Sequence, residues 1–213
     1  MRPSDGLPPK KVAFIQCVGS REAARGQPYC SAVCCMHATK QAMIAGEHQQ
    51  GLETAVFYMD IRSFGKDFEK YYERAKDLGV RYVRCMASTV KEIQQSKDLR
   101  LKYRTEEGGF LTEDFSLVVL SLGLQPSRGA LELGAAAGVK LDEHGFCHTP
   151  YFAPGTTSRP GVFACGAFCG PKDIPETVVE ASAAAAHCSQ LLAQSRGTET
   201  RVLEYPQEKD VAE

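Results

Sequence analysis

Four cysteines near the start of the chain, Cys17, Cys30, Cys34 and Cys35, follow the spacing C-x12-C-x3-C-C. Thiolate sulfur is a soft ligand, and four thiolates suit a cubane iron–sulfur cluster. They also suit a structural zinc, although zinc sites more often use two short cysteine pairs. Cysteines can equally sit unligated in a core as small hydrophobes. Spacing alone leaves these three readings open. Of the nine cysteines, the other five are Cys85, Cys147, Cys165, Cys169 and Cys188. They are scattered and read as core residues. Cys165 and Cys169 make one C-x3-C pair, more simply incidental than an extra ligand pair or a dithiol. His37, His48, His144, His148 and His187 form no local metal-binding pattern.

The elements that must bring the four cysteines together are legible. Val12 to Val18 is a short apolar run with β-branched residues, closed by Gly19-Ser20, and predicts a buried strand with Cys17 at its end. From Ser31 to His48 the chain is rich in Ala, Met and Gln and predicts a helix with Ser31 as N-cap. Thr54 to Met59 predicts a second strand, completing a strand–loop–helix–strand unit. In an open α/β sheet, ligands bind where the carboxyl ends of strands meet helix N-termini. Cys17 and the Cys30, Cys34, Cys35 group are therefore expected to face one site. Cys30 and Cys34, four apart, are expected on one helix face, where the helix dipole lowers thiolate pKa values and offsets a cluster's negative charge.

Further along, Lys66 to Leu78 carries Phe68, Tyr71, Tyr72 and Ala75 at helical spacing, with Gly79 as a stop. Strands are predicted at Val80 to Cys85, at Arg100 to Thr105 and around Phe110, with Gly108-Gly109 as a hairpin turn. Ser116 to Leu122 predicts a continuous apolar strand ending in Gly123, and Gln125-Pro126 marks a boundary. Beyond it lie a short helix at Ala130 to Ala137, a strand at Gly161 to Ala164 and an Ala-rich helix from Pro175 to Gln194. The expected organisation is a linker over 1–10, a Rossmann-like three-layer α/β domain over 11–124, a second unit over 125–195 and a solvated tail over 196–213. A dinucleotide-binding unit places G-x-G-x-x-G after its first strand so that backbone amides approach pyrophosphate. That motif occurs nowhere in this chain, and Asp60 at the end of the second strand is a weak ribose-binding candidate without it.

With 43% hydrophobic and 24% charged residues and a net charge of −1, the chain reads as globular, with no broad cationic field for nucleic acid or membrane surfaces. No apolar run approaches the roughly 18 residues of a membrane span, and the Pro-rich start lacks the pattern of a signal peptide. A cytoplasmic setting is expected. In such a reducing compartment, clustered cysteines favour a metal, a cluster or redox chemistry over disulfides.

The strings Ile15-Gln16-Cys17-Val18-Gly19-Ser20-Arg21, Tyr29-Cys30-Ser31, Val33-Cys34-Cys35-Met36 and Lys40-Gln41-Ala42 resemble the flavin-bearing A subunit of heterodisulfide reductase. So do Asp60-Ile61-Arg62-Ser63-Phe64-Gly65 and Gly170-Pro171-Lys172-Asp173-Ile174-Pro175-Glu176-Thr177-Val178. The resemblance runs from about Lys11 to about Leu192. It implies a thioredoxin-reductase-like fold, with residues 125–195 as the carboxyl-terminal part of an FAD-binding domain. It implies a [4Fe-4S] cluster on Cys17, Cys30, Cys34 and Cys35 near FAD, and a part in flavin-based electron bifurcation.

The same resemblance places Lys40 at the reactive nitrogen of the flavin. Gly161 to Gly170 looks like the second flavin-contacting strand and loop of the two-dinucleotide-domain flavoproteins. Ala167 stands where that motif usually has the Asp that holds the ribityl chain. The expected flavin contacts are Gly123, Gly166, Gly170, Pro171, Lys172 and Asp173, with Ile174, Glu176, Thr177 and Val178 beside the ring. There the following helix presents free N–H groups and a positive dipole end. The glycine-rich strand and turn that grip the ADP half of FAD are missing, which fits either a split subunit, the favoured expectation, whose partner chain supplies them, or a truncated product with weakened flavin binding. Further expected partners are the other chains of a heterodisulfide-reductase-like complex and ferredoxin-like or hydrogenase-linked electron carriers. Two rival readings are a flavin-free iron–sulfur electron-transfer module and a zinc-stabilised interaction subunit.

Overall fold

Strand β1 (Lys11–Val18) alternates its side chains between two cores. Val12 and Phe14 pack with Ala38, Ala42, Met43, Val56, Ala75 and Val80, while Ala13 and Ile15 pack with Ala55, Phe57, Leu101, Tyr103 and Phe115. A strand buried on both faces is the signature of a covered parallel sheet. In this computed structural model, which describes residues 1–196 and 204–205, β1 pairs in parallel with β2 (Glu53–Tyr58) on one side and β6 (Leu117–Leu122) on the other. The first core lies under the helices α1 (Cys34–His48) and α2 (Phe68–Asp77).

The sheet order is β5-β4-β3-β2-β1-β6. Residues Arg81 to Arg84 of β3 (Arg81–Glu92) pair in parallel with β2. From Cys85 to Glu92 the same strand pairs antiparallel with β4 (Leu99–Thr105), which pairs with β5 (Phe110–Phe115). This meander covers the second core, where the Phe57 ring meets Tyr103 and Phe115 at 5.0 and 5.5 Å. The three layers are thus helices, parallel sheet and meander, the Rossmann-like arrangement expected.

Several boundaries differ from the sequence reading. Helix α1 begins at Cys34, not Ser31, because Ala32 adopts a left-handed backbone (φ 63°) that interrupts helical propagation. The buried Ser31 hydroxyl accepts the Leu124 N–H at 2.8 Å instead of capping the helix. Cys30 therefore sits in the loop and shares no helix face with Cys34. Strand β3 runs to Glu92, well past the expected Cys85. Instead of a strand at Gly161 to Ala164 there is one bridge, between Thr156 and Phe163.

After β6 come α3 (Ala130–Ala137), a 3-10 turn at Gly166–Cys169 and α4 (Ile174–Ala193). Asp173 caps α4 in a reciprocal capping box with Glu176, and Pro175 occupies the first turn, where its missing N–H costs nothing. None of the residues of α4 is buried. The tail expected over 196–213 lies, apart from Arg196, Glu204 and Tyr205, outside the described residues.

Candidate functional site

At the tip of β1, Cys17 adopts a left-handed backbone (φ 59°), as do Arg21 (φ 58°) and Ala32 (φ 63°). Such conformations cost about 1–3 kcal/mol each for non-glycine residues, and they concentrate where a site dictates the path of the chain. The turn is closed by the Ser20 N–H donating to the Cys17 carbonyl at 3.3 Å and by Arg21 N–H to the Tyr29 carbonyl at 2.9 Å. It brings Cys17 against the first residues of α1, where the Cys17, Cys34 and Cys35 thiols lie within interaction range of one another. Its two thiol neighbours hold Cys34 down, against the burial that would raise it. The same contact with Cys34, followed by burial, pushes Cys17 and Cys35 up. Cys30 adjoins the trio, and its sulfur accepts the Ala32 N–H at 3.3 Å.

An ion pair clamps the ends of β1 and β2 around these sulfurs. Arg21 donates to Asp60 at 2.6 Å, Arg62 approaches the same carboxylate at 3.5 Å, and the Cys35 sulfur lies 3.9 Å from the Asp60 carbonyl oxygen. Asp60 thus acts as a partner of Arg21 rather than as a free ribose acceptor. Gly123 works from the β6 side: a Cβ there would meet the Gly19 carbonyl oxygen at 2.6 Å and the Ser20 Cβ at 3.0 Å. Its lack of a side chain is what lets β6 close on the Cys17 turn.

The donor set fits a thiolate-bound cluster. Cys17, Cys34 and Cys35 come together where a strand tip meets the start of a helix, Cys30 lies near Cys17, and a backbone N–H already points at the Cys30 sulfur. Two buried polar atoms beside Cys17, Gln16 Oε1 and Ser20 Oγ, have no partner within the described residues. A buried polar atom without a partner calls for a missing group. Among the described residues no three His, Cys, Asp or Glu side chains stand at single-ion spacing, so loading any metal requires these thiols to reorient.

Beside the trio, a cavity of about 500 Å³ opens between α1, the β2–α2 loop and the start of α4. Its wall combines Met36, Phe64, Phe68 and Tyr71 with the cations Lys40, Arg62 and Lys66, and with Asp173 and Ile174 from α4. The expected Lys40, Asp173 and Ile174 meet here. In the first turn of α4, Asp173 Oδ1 accepts the Glu176 N–H (2.8 Å), the Asp173 carbonyl accepts that of Thr177 (3.0 Å), and Pro175 has none. The expected row of free amides thus reduces to Ile174. A flat apolar ring fits this lining, with the cations Lys40, Arg62 and Lys66 at its wall.

The other expected flavin contacts fall elsewhere. Lys172 is ion-paired to Glu180, whose other oxygen accepts the Gly166 N–H at 2.9 Å. Gly166 (φ 73°) packs against Thr177, with 3.1 Å available for a Cβ. Pro171, Lys172 and Glu176 line a second cavity of about 560 Å³ on α4. Val178 is exposed, and neither Thr177 nor Gly170 lines the 500 Å³ cavity. The cavity also takes in His37, Arg62 and Phe64, which the sequence reading gave no site role. For the last two, the string Asp60 to Gly65 is the signal that could have found them.

A model of the pyridine nucleotide-disulphide oxidoreductase family matches residues 32–185. The chain belongs to this family. Among its relatives is the A subunit of the H(2)/formate:CoB-CoM heterodisulfide,ferredoxin reductase of Methanococcus maripaludis, 43% identical over 189 residues, a match covering 87% of this chain and 29% of that protein. The iron-sulfur A subunit of CoB–CoM heterodisulfide reductase from Methanocaldococcus jannaschii is 42% identical over 200 residues, covering 92% and 30%. The chain therefore spans under a third of the length of these relatives. The fold is that of thioredoxin reductase from Lactococcus lactis in its FR conformation, with a TM-score of 0.55 at 17% identity over 86% of this chain and 53% of that one. LpdA from Mycobacterium tuberculosis gives 0.52 at 15% identity, covering 88% and 35%. Among the described residues, no helix of this chain is long and apolar enough to cross a membrane.

Proposed function

We propose that the chain is an electron-transfer unit of a heterodisulfide-reductase-like complex, with a [4Fe-4S] cluster on Cys17, Cys30, Cys34 and Cys35 beside FAD. The observation that carries this reading is the meeting of Cys17, Cys34 and Cys35 at one end of the sheet, next to the cavity that Lys40 and the start of α4 share. Residues 11–124 are the cluster-holding unit and 125–195 the carboxyl part of the FAD unit. The ADP half of the flavin site comes from another polypeptide segment. Ferredoxin-like or hydrogenase-linked carriers exchange electrons with the complex, and flavin-based bifurcation is the reaction type the resemblance implies.

Bound here, a flavin supplies a two-electron carrier and a cluster a one-electron carrier. The chain's own residues set the conditions for both. The Arg21–Asp60 pair fixes the turn that aims Cys17, and the Ala32 amide donates to the Cys30 sulfur, which favours the thiolate that a metal requires. Lys40 and Arg62 place positive charge at the cavity wall, favouring reduced, anionic flavin forms. The Ile174 amide and the dipole of α4 act in the same sense.

Anaerobic purification followed by iron, sulfide, zinc and flavin analysis tests the reading. Brown protein that releases flavin on denaturation is expected. Brown protein without flavin restricts the function to a cluster module, and colourless protein with stoichiometric zinc overturns it.

A further inference from the structure

Away from the four-cysteine site, the structure joins two segments that the sequence leaves unrelated. Leu141 and Cys147 bridge across a tight turn in which Asp142 Oδ1 accepts the N–H groups of His144 and Phe146, both at 2.9 Å. The Cys147 N–H then donates to the Phe168 carbonyl at 2.7 Å. The next residue is Cys169, in the 3-10 turn Gly166–Cys169. Cys147 is 2% exposed, Cys169 is half-buried, and the two thiols lie within range to interact. Two thiols from different segments are therefore brought together by a backbone contact that depends on neither sulfur.

We infer that Cys147 and Cys169 are a redox-active pair that closes to a disulfide by exchange with low-molecular-weight disulfides. Cys169 is the attacking sulfur, being the more exposed of the two and close to the Lys172 ammonium. Its thiolate attacks one sulfur of R–S–S–R, forming a Cys169–S–S–R bond and expelling RS⁻. Cys147 then attacks the Cys169 sulfur, breaking that bond, forming the Cys147–Cys169 disulfide and expelling a second RS⁻. The two protein thiols lose two electrons, the reagent disulfide gains them, and the two thiol protons end on the two RSH products.

Burial sets the character of this pair. It pushes the Cys169 thiol up to about 12, against the pull of Lys172, and it also raises Cys147. Little thiolate is present at neutral pH, so exchange is slow and accelerates about tenfold per pH unit below that value. Thiols of high pKa are poor leaving groups, so the closed disulfide resists reduction. The bond also has a mechanical consequence. It staples the Leu141–His148 hairpin to the loop whose Gly166 N–H and Lys172 ammonium both bind Glu180 of α4.

The test is a thiol–disulfide titration of the full chain with oxidised and reduced glutathione, followed by acid quenching, alkylation and mass mapping. Chymotryptic cleavage after Phe146, Tyr151, Phe163 and Phe168 separates Cys147, Cys165 and Cys169 into different peptides. The expected product is a linked Cys147–Cys169 pair whose yield tracks the glutathione ratio, rises faster at higher pH and is unchanged in Cys165→Ser. In Cys147→Ser, oxidation should stop at a Cys169–glutathione adduct. Cys147 remaining fully alkylatable at every ratio in the wild-type chain overturns the inference, as does a Cys165–Cys169 link in its place. The wild-type titration decides the matter by itself, so a variant that fails to fold does not shield the proposal.

Discussion

Replacing Gly123 by Ala probes how the Cys17 turn is held. A Cβ at this position would lie 2.6 Å from the Gly19 carbonyl oxygen, 3.0 Å from the Gly19 carbonyl carbon and 3.0 Å from the Ser20 Cβ. Two of these neighbours are backbone atoms of the turn that aims Cys17, so no side-chain rotation relieves the contact. Overpacking of this kind costs about 1–3 kcal/mol. The lower entropy of the unfolded Ala chain returns about 0.4–1 kcal/mol, leaving a net loss of about 1–2 kcal/mol. For a chain of this size that is a fall in melting temperature of about 2–8 °C. Gly46→Ala is the control: it lies inside α1 with nothing within 4 Å of the added Cβ, and should raise stability by about 0.5–1 kcal/mol. The chain has no tryptophan, so urea unfolding is best followed by far-UV circular dichroism. Gly123→Ala unfolding at the same urea concentration as wild type refutes the close approach of β6 to the turn.

Three further outcomes follow from named contacts. Burial would raise Glu113, but Arg81, the Tyr103 hydroxyl and Lys11 outweigh it and hold its carboxyl down at about 2. A depressed folded value means stability is present above the ordinary carboxylate range and lost as pH falls from about 5 toward 2, to about 3 kcal/mol. Glu113→Gln should therefore weaken the protein at pH 6 and match wild type near pH 2 in urea unfolding; an equal deficit at both pH values contradicts this. Asp173→Ala removes the capping box of α4 and should cost about 1 kcal/mol, read by the same assay. Ser20→Ala deletes a buried hydroxyl without a partner among the described residues, so the metal-free chain should be unchanged or stabilised by up to about 1 kcal/mol.

In the sequence, β1, β2, β6 and α4 are legible because each has a clean signal: continuous apolar runs for the three parallel strands, of which β1 and β2 are buried on both faces, and an Asp-x-Pro-Glu start before an Ala-rich helix. The start of α1 is misplaced because the Ser31 hydroxyl is used by Leu124, distant in sequence, and a capping residue looks the same whichever amide it serves. Strand β3 is cut short because Met86 to Glu92 is mostly exposed, so no burial pattern marks the strand as it leaves the parallel sheet for the meander. Around the candidate site, local spacing exposed the cysteines, and resemblance exposed Lys40. The role of Asp60 depends on Arg21 crossing from another strand end, and the pairing of Cys147 with Cys169 depends on a backbone contact between distant loops. Neither leaves a trace in local sequence. Gly123 stands out in the sequence as a glycine after a strand, but its close approach to the β1 turn is a contact between segments distant in sequence.

The metal content of the four-cysteine site decides the cluster assignment most directly. Anaerobically purified wild-type chain should contain iron and acid-labile sulfide at about four of each and, after reduction, show the paramagnetic signal of a cubane cluster. Cys17→Ser should lose most of that iron while Cys188→Ser keeps it. Equal iron in the two variants, or wild-type protein with no sulfide, would contradict the assignment.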